Sequence, residues 1–150
     1  MQIFFFMNET EILLVEDNEG DVILTLEIFN ELMLLNKINV VKDGEQAIRY
    51  LNKQKEFENV KTPDLIFLDI NLPKINGKEV LQYIKSQPLL KSIPVIVLTT
   101  SSSRLDEEEC FKNNAKFYII KPLQINTLLQ AIASLKVFCL SIVSPLKAIS

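Results

Sequence analysis

The sequence predicts a doubly wound α/β fold: five parallel strands with helices packed on both faces of the sheet. Three observations carry that expectation. Short unbroken apolar runs recur along the chain, as strands buried on both faces require. Segments with apolar residues at helical spacing separate them. The alternation repeats five times, a rhythm that right-handed crossovers turn into a parallel sheet.

The first apolar run is 12–15, and Asp17-Asn18-Glu19-Gly20-Asp21 ends it with helix-start chemistry. Over 22–35, Val22, Leu26, Phe29 and Met33 recur at helical spacing. A second short strand is predicted at 38–41. Asp43-Gly44 then turns the chain into a helix carrying Ala47, Ile48 and Leu51. Residues 53–62 are charged and polar, and read as a surface connection. The run 65–68 is the third strand and ends at Asp69. Pro73 and Asn76-Gly77 punctuate the next loop, before a helix with Val80, Leu81 and Ile84 on one face. A fourth strand at 93–98 leads into Thr99-Thr100-Ser101-Ser102-Ser103. The helix after it bears Asp106, Glu107, Glu108 and Glu109 near its start, where acidic side chains suit the helix dipole. The fifth strand is 117–120, and Lys121-Pro122 precedes a last helix from about residue 124.

Composition narrows the function classes. At 150 residues, 48% hydrophobic and 23% charged, the chain has the length and make-up of one globular domain with a real core. A formal charge of −3 argues against a nucleic-acid surface, which needs a basic stripe. There is no histidine, which rules out Ser-His and Cys-His catalysis, imidazole zinc sites and a phosphohistidine carrier. The two cysteines, Cys110 and Cys139, fit neither a disulfide framework nor a CxxC metal site, and read as reduced, buried thiols. The greasy start at 1–7 lacks signal-peptide architecture and is far shorter than a membrane span, so no membrane association is expected. Residues 1–10 read as an N-terminal extension with Met7 as the natural start, 11–135 as the domain, and 136–150 as an apolar tail.

In open α/β sheets, sites lie beyond the carboxyl ends of the strands. There the sequence places Glu16 and Asp17 after the first strand, Asp69 after the third, Thr99 after the fourth and Lys121 after the fifth. Taken singly, each has a plain structural explanation, such as helix capping. Together they are harder to dismiss. Like charges about 4 Å apart repel by about 4 kcal/mol at an effective dielectric of 20. Gathering three carboxylates therefore calls for a cation, or for a raised pKa on one of them. Mg²⁺ suits an all-oxygen site that leaves room for water and phosphate. A carboxylate so neutralised can attack phosphorus, with Lys121 and the Thr99 hydroxyl facing the transferred group.

These residues resemble the bacterial response-regulator receiver family over about 11–135. Val15-Glu16-Asp17-Asn18 is similar to its acidic pair, and Leu68-Asp69-Ile70-Asn71-Leu72-Pro73 with Asn76-Gly77 to its phosphoacceptor loop. Leu98-Thr99-Thr100 is similar to its switch hydroxyl, and Tyr118-Ile119-Ile120-Lys121-Pro122 to its aromatic switch and lysine. The resemblance implies a flavodoxin-like sheet of strand order 2-1-3-4-5 and a two-component phosphorelay. Asp69 would be phosphorylated by a sensor histidine kinase or phosphotransfer protein. Asp17, Asp69 and the backbone carbonyl of Asn71 would hold Mg²⁺, with Glu16 acting through water. Lys121–Pro122 would be cis. Phosphorylation would draw Thr99 inward and let Tyr118 follow, shifting an existing equilibrium. Such a domain is a cytoplasmic phosphoacceptor, catalysing only its own phosphotransfer and slow dephosphorylation.

The sequence departs from the family pattern at Asn114-Ala115, where Gly-Ala is common; Asn tolerates positive φ, so the turn is expected to survive. Asp21 and the tail resemble receivers linked to cyanobacterial phytochromes. The expected output is a separate protein partner, with no attached effector domain. The apolar tail, or the face of the fourth helix, fifth strand and last helix, could instead support a homodimer. An Asp-nucleophile phosphatase would want a second Asp where Asn71 stands, and a degenerate docking module would not need the full set of Asp17, Asp69, Thr99 and Lys121.

Overall fold

The computed structural model describes residues 11–32 and 37–135. Five strands alternate with five helices: β1 (Glu11–Val15), α1 (Glu19–Glu31), β2 (Lys37–Val41), α2 (Gly44–Leu51), β3 (Leu65–Leu68), α3 (Gly77–Ser86), β4 (Val95–Thr99), α4 (Arg104–Lys112), β5 (Phe117–Ile120) and α5 (Ile125–Ser134). All four strand pairings are parallel, in the order β2-β1-β3-β4-β5. This is the flavodoxin-like order that the resemblance implies. The anticipated extension at 1–10, the tail at 136–150, Met33, Leu35 and Cys139 lie outside the described residues.

The helices begin where short polar side chains meet their free N–H groups. Asn18 accepts from Asp21 N, Asp43 from Gln46 N and Ser103 from Asp106 N. Asn76 and Glu79 form a reciprocal capping box at the start of α3. The cap at Asn18 starts α1 three residues before the predicted 22. The predicted fourth strand at 93–98 is displaced to Val95–Thr99. Pro94 has no N–H to give a ladder, and the Ile93 N–H is already bonded to Leu90 O in a turn. Residues 53–62 are not purely a surface connection. A short 3₁₀ turn at Lys55–Phe57 sets the Phe57 ring 5.1 Å from that of buried Tyr50.

Strand residues alternate between two cores. Leu13, Val15, Ile66, Leu68, Val95 and Val97 face the side covered by α2, α3 and α4. Ile12, Leu14, Leu65, Phe67, Ile96 and Leu98 face the side covered by α1 and α5, where Phe29 and Phe67 pack with ring centroids 5.2 Å apart. Burial on both faces explains why the runs 12–15, 65–68 and 95–98 within β1, β3 and β4 are apolar without interruption. All of the loops at the carboxyl ends of the strands are thereby brought to one edge.

Candidate functional site

Backbone ladders carry the site residues together before any side chain takes part. Where β1 ends, Glu16 N donates to Val41 O at 3.0 Å. Asp69 N, just past β3, donates to Val15 O at 3.1 Å, and Lys121 N, just past β5, donates to Thr99 O at 2.8 Å. Adjacent parallel strands thus end in register, so residues up to 105 positions apart share one pocket.

At its centre is the Lys121 ammonium. Its Nζ donates to Glu16 Oε1 at 2.5 Å, Asp21 Oδ2 at 2.8 Å and Asp69 Oδ2 at 3.0 Å. Glu16 and Asp69 are buried, while Asp17 is open to solvent. Carboxylate oxygens of Glu16, Asp17 and Asp69 all lie within 4.8 Å of one another. Burial pushes the Glu16 carboxyl up to about 7, aided by the charge of Asp69 and opposed by the Lys121 hydrogen bond. Burial alone would pull Lys121 down. Its bonds to Asp21, Glu16 and Asp69 outweigh that and hold it above the ordinary lysine range. The pocket therefore keeps its cation, and one of its carboxyls sits close to neutrality.

The donor set fits a hard divalent cation. All three side chains offer oxygen, two are fixed by burial, and exposed Asp17 leaves a side open for water. Asn71 N donates to Asp69 Oδ1 at 2.9 Å, which orients the carboxylate from the opposite side to Lys121. The Asn71 amide also reaches Thr99 Oγ1 at 3.4 Å. Thr99 is fully buried, whereas Thr100 is exposed, so the two adjoining hydroxyls are distinguished by the fold. Tyr118 is half-buried; its OH donates to Ser101 O at 2.9 Å, and its ring lies 6.5 Å from that of Phe111. The Lys121–Pro122 peptide is cis, and Asn114 adopts φ 74°, the positive value expected at that turn.

A family model described as the response regulator receiver domain matches residues 12–133. The chain belongs to that family. Receivers of this family are signalling phosphoacceptors, and the role of this chain is of that kind. This receiver is 38% identical over 133 residues to the response regulator Rcp1 of Synechocystis sp., an alignment covering 89% of this chain and 90% of Rcp1. Among solved structures it is similar to the bacteriophytochrome response regulator RtBRR, with TM-score 0.80, 40% identity and coverage of 87% of this chain and 80% of that one. It is also similar to the phosphorylated cyanobacterial phytochrome response regulator RcpA, with TM-score 0.75, 39% identity and coverage of 87% and 94%. Rcp1 itself has been solved in an Mn²⁺-bound form; that structure gives TM-score 0.73 and 37% identity, covering 86% of this receiver and 93% of Rcp1.

The predicted residues Glu16, Asp17, Asp69 and Lys121 meet in one pocket, with Asn71 and Thr99 bordering it and Tyr118 one loop away. Sequence reasoning noted Asp21 for its subfamily likeness and missed its contact with Lys121. The signal was available: Asp21 opens α1 three residues after its cap, at the same sheet edge as Lys121. In the sequence Ser101 reads only as part of a hydroxyl-rich loop, whereas in the structure it bonds to both Thr99 and Tyr118. In the sequence Gly77 reads as turn punctuation. Its φ is not positive, and its need is for space: a Cβ there would lie 2.2 Å from the Asp69 carbonyl oxygen.

Proposed function

We propose that this receiver takes a phosphoryl group onto the Asp69 carboxylate from a phosphohistidine of a sensor kinase or phosphotransfer protein. An Asp69 oxygen forms the new P–O bond as the P–N bond to the donor imidazole breaks, and the bonding pair leaves with the imidazole nitrogen. The observation that carries this reading is a buried Asp69 with Lys121 on one oxygen and the Asn71 N–H on the other, beside Glu16 and Asp17.

Asp17 and Asp69, with the Asn71 carbonyl, would hold Mg²⁺, and Glu16 would act through a bound water. When bound, the ion would offset negative charge on the phosphoryl oxygens. Lys121 already stands against the Asp69 oxygen and would follow the transferred group as a point charge. The Asn71 N–H holds the carboxylate plane, so that little reorganisation precedes attack. Thr99, whose hydroxyl now accepts from Asn71 and Ser101, would turn to donate to the phosphoryl group, and Tyr118 would leave Ser101 as the loop between them moves. The chain's likeness to Rcp1, RtBRR and RcpA supports a place in phytochrome-linked signalling, with output through a separate protein. On this reading the chain acts in the cytoplasm, beside its phosphohistidine donor; Cys110 is a free, buried thiol, and among the described residues no helix is long and apolar enough to cross a membrane.

The test is incubation with Mg²⁺ and acetyl phosphate, followed by intact mass. Wild type should gain the mass of one phosphoryl group, dependent on Mg²⁺, and Asp69→Asn should gain none. An adduct that persists in Asp69→Asn would overturn the assignment.

A further inference from the structure

Ser101 sits two residues beyond Thr99, and three of its groups are bonded in different directions. Its N–H donates to Thr99 Oγ1 at 3.3 Å, its carbonyl accepts from the Tyr118 hydroxyl at 2.9 Å, and its Oγ donates to Asp106 Oδ2 at 2.5 Å. Asp106, in the first turn of α4, is ion-paired through Oδ1 to Lys78 of α3. Lys78 also reaches Glu109 Oε1, one turn along α4, at 3.3 Å. The side chains of Lys78 and Asp106 are 29% and 23% exposed, so water screens this pair only in part. The Lys78 and Ser101 hydrogen bonds hold the Asp106 carboxyl below its ordinary range, and the Asp106 bond holds Lys78 above its own. One loop residue is thus tied at once to the buried hydroxyl, to the aromatic and to an ion pair joining two helices.

We propose, resting on the phosphoacceptor reading of Asp69, that Asp106 and Lys78 are positioning residues which act through Ser101 to latch the β4–α4 loop in its unphosphorylated arrangement. The Thr99 hydroxyl accepts from the Ser101 N–H, so turning it toward Asp69 gives up that bond, and the loop that holds Ser101 in place opposes the turn. Moving that loop stretches or breaks the Ser101–Asp106 bond, with the Lys78 ion pair anchoring the acceptor. The latch therefore lowers the population of the competent state, and a ligand that needs that state binds more weakly by the same factor. Removing it raises apparent affinity while removing a stabilising contact. A merely structural role would do only the second.

The experiment uses the full chain with Mg²⁺ and beryllofluoride as the phosphoryl mimic. Affinity is measured by titration, and the Tyr118 ring signal is followed by NMR with labelled tyrosine, assigned through Tyr118→Phe. Asp106→Asn and Lys78→Met should each bind beryllofluoride about fivefold more tightly, the scale of one partly exposed ion pair. The double variant should gain little beyond either single one, since both substitutions open the same latch. In both variants the unliganded Tyr118 signal should shift toward its position in liganded wild type. Ser101→Ala, which leaves the Lys78–Asp106 pair and both backbone bonds intact, should give the same gain and stands in if Asp106→Asn fails to fold. Unchanged or weaker binding in these variants, with wild type still binding the mimic, would overturn the latch and leave the reading of Asp69 intact. Failure of wild type itself to bind the mimic would remove both.

Discussion

Lys121 is the residue on which the pocket's charge balance turns. Three carboxylates surround its ammonium, and removing it leaves buried Glu16 and Asp69 without compensation. Breaking a buried ion pair from one side costs about 3–5 kcal/mol. Lys121→Met should therefore lose about 3 kcal/mol in metal-free urea unfolding, and added Mg²⁺ should restore more stability to it than to wild type. Equal Mg²⁺ responses would show that Lys121 and the cation do not compete for the same charge. Cys110 gives a second residue-level test, this one in pH. Burial pushes its thiol from 9.0 up to about 11, so the folded chain holds that proton more tightly than the unfolded one. Its stabilising effect is full below pH 9 and is lost as pH rises toward 11. The stability difference between wild type and Cys110→Ala should stay flat to pH 9, then shrink by about 2 kcal/mol by pH 11. A difference that stays flat throughout would mean that the thiol titrates normally.

Among elements, the join between β3 and α3 is the most constrained. Gly77 N donates to Ile70 O at 2.9 Å, drawing the first turn of α3 onto the loop that carries Asp69. A Cβ at Gly77 would meet the Asp69 carbonyl oxygen at 2.2 Å and Ile70 Cα at 2.4 Å, and backbone atoms have no rotamer by which to yield. Gly77→Ala should lose about 2 kcal/mol, in the range of overpacked sites. It should also slow phosphorylation by acetyl phosphate more than a comparably destabilising substitution in the core on the other side of the sheet, such as Phe29→Leu, compared at matched fraction folded. If both variants are phosphorylated equally fast, the close approach serves packing alone. Gly44 plays the matching part at α2, where a Cβ would fall 1.8 Å from Ile75 O.

For the whole molecule, the sheet acts as a partition. Phe29 lies in the core under α1 and α5, and Leu81 in the core under α2, α3 and α4, each fully covered. The two cores have no residue in common and lie on opposite faces of the sheet, so the two side chains belong to separate clusters. Phe29→Leu should cost about 1–2 kcal/mol and Leu81→Ala about 3 kcal/mol. Their sum should hold in the double variant within about 0.5 kcal/mol, measured by urea unfolding. Larger coupling would mean that the strands transmit strain from one core to the other. The same partition suits the proposed function: a two-faced sheet fixes where its carboxyl-end loops stand, and on that reading only those loops need move.

Local chemistry determined a great deal. The apolar runs that became β1, β3 and β5, the Val80, Leu81 and Ile84 face of α3, and the position of Asp69 were legible because each depends on neighbours a few residues away. Parallel alternation also dictated which residues reach the sheet's reactive edge, so Glu16, Asp17, Thr99 and Lys121 could be named from sequence. Folding decided what depends on distance across the chain. Asp21 on Lys121, Tyr118 on Ser101 and the Lys78–Asp106 bridge join separate segments of the chain, and exist only once those segments lie side by side. The tight seat of Gly77 on the Asp69 carbonyl is nearer in sequence, but it depends on how the loop between them folds, which no periodicity encodes.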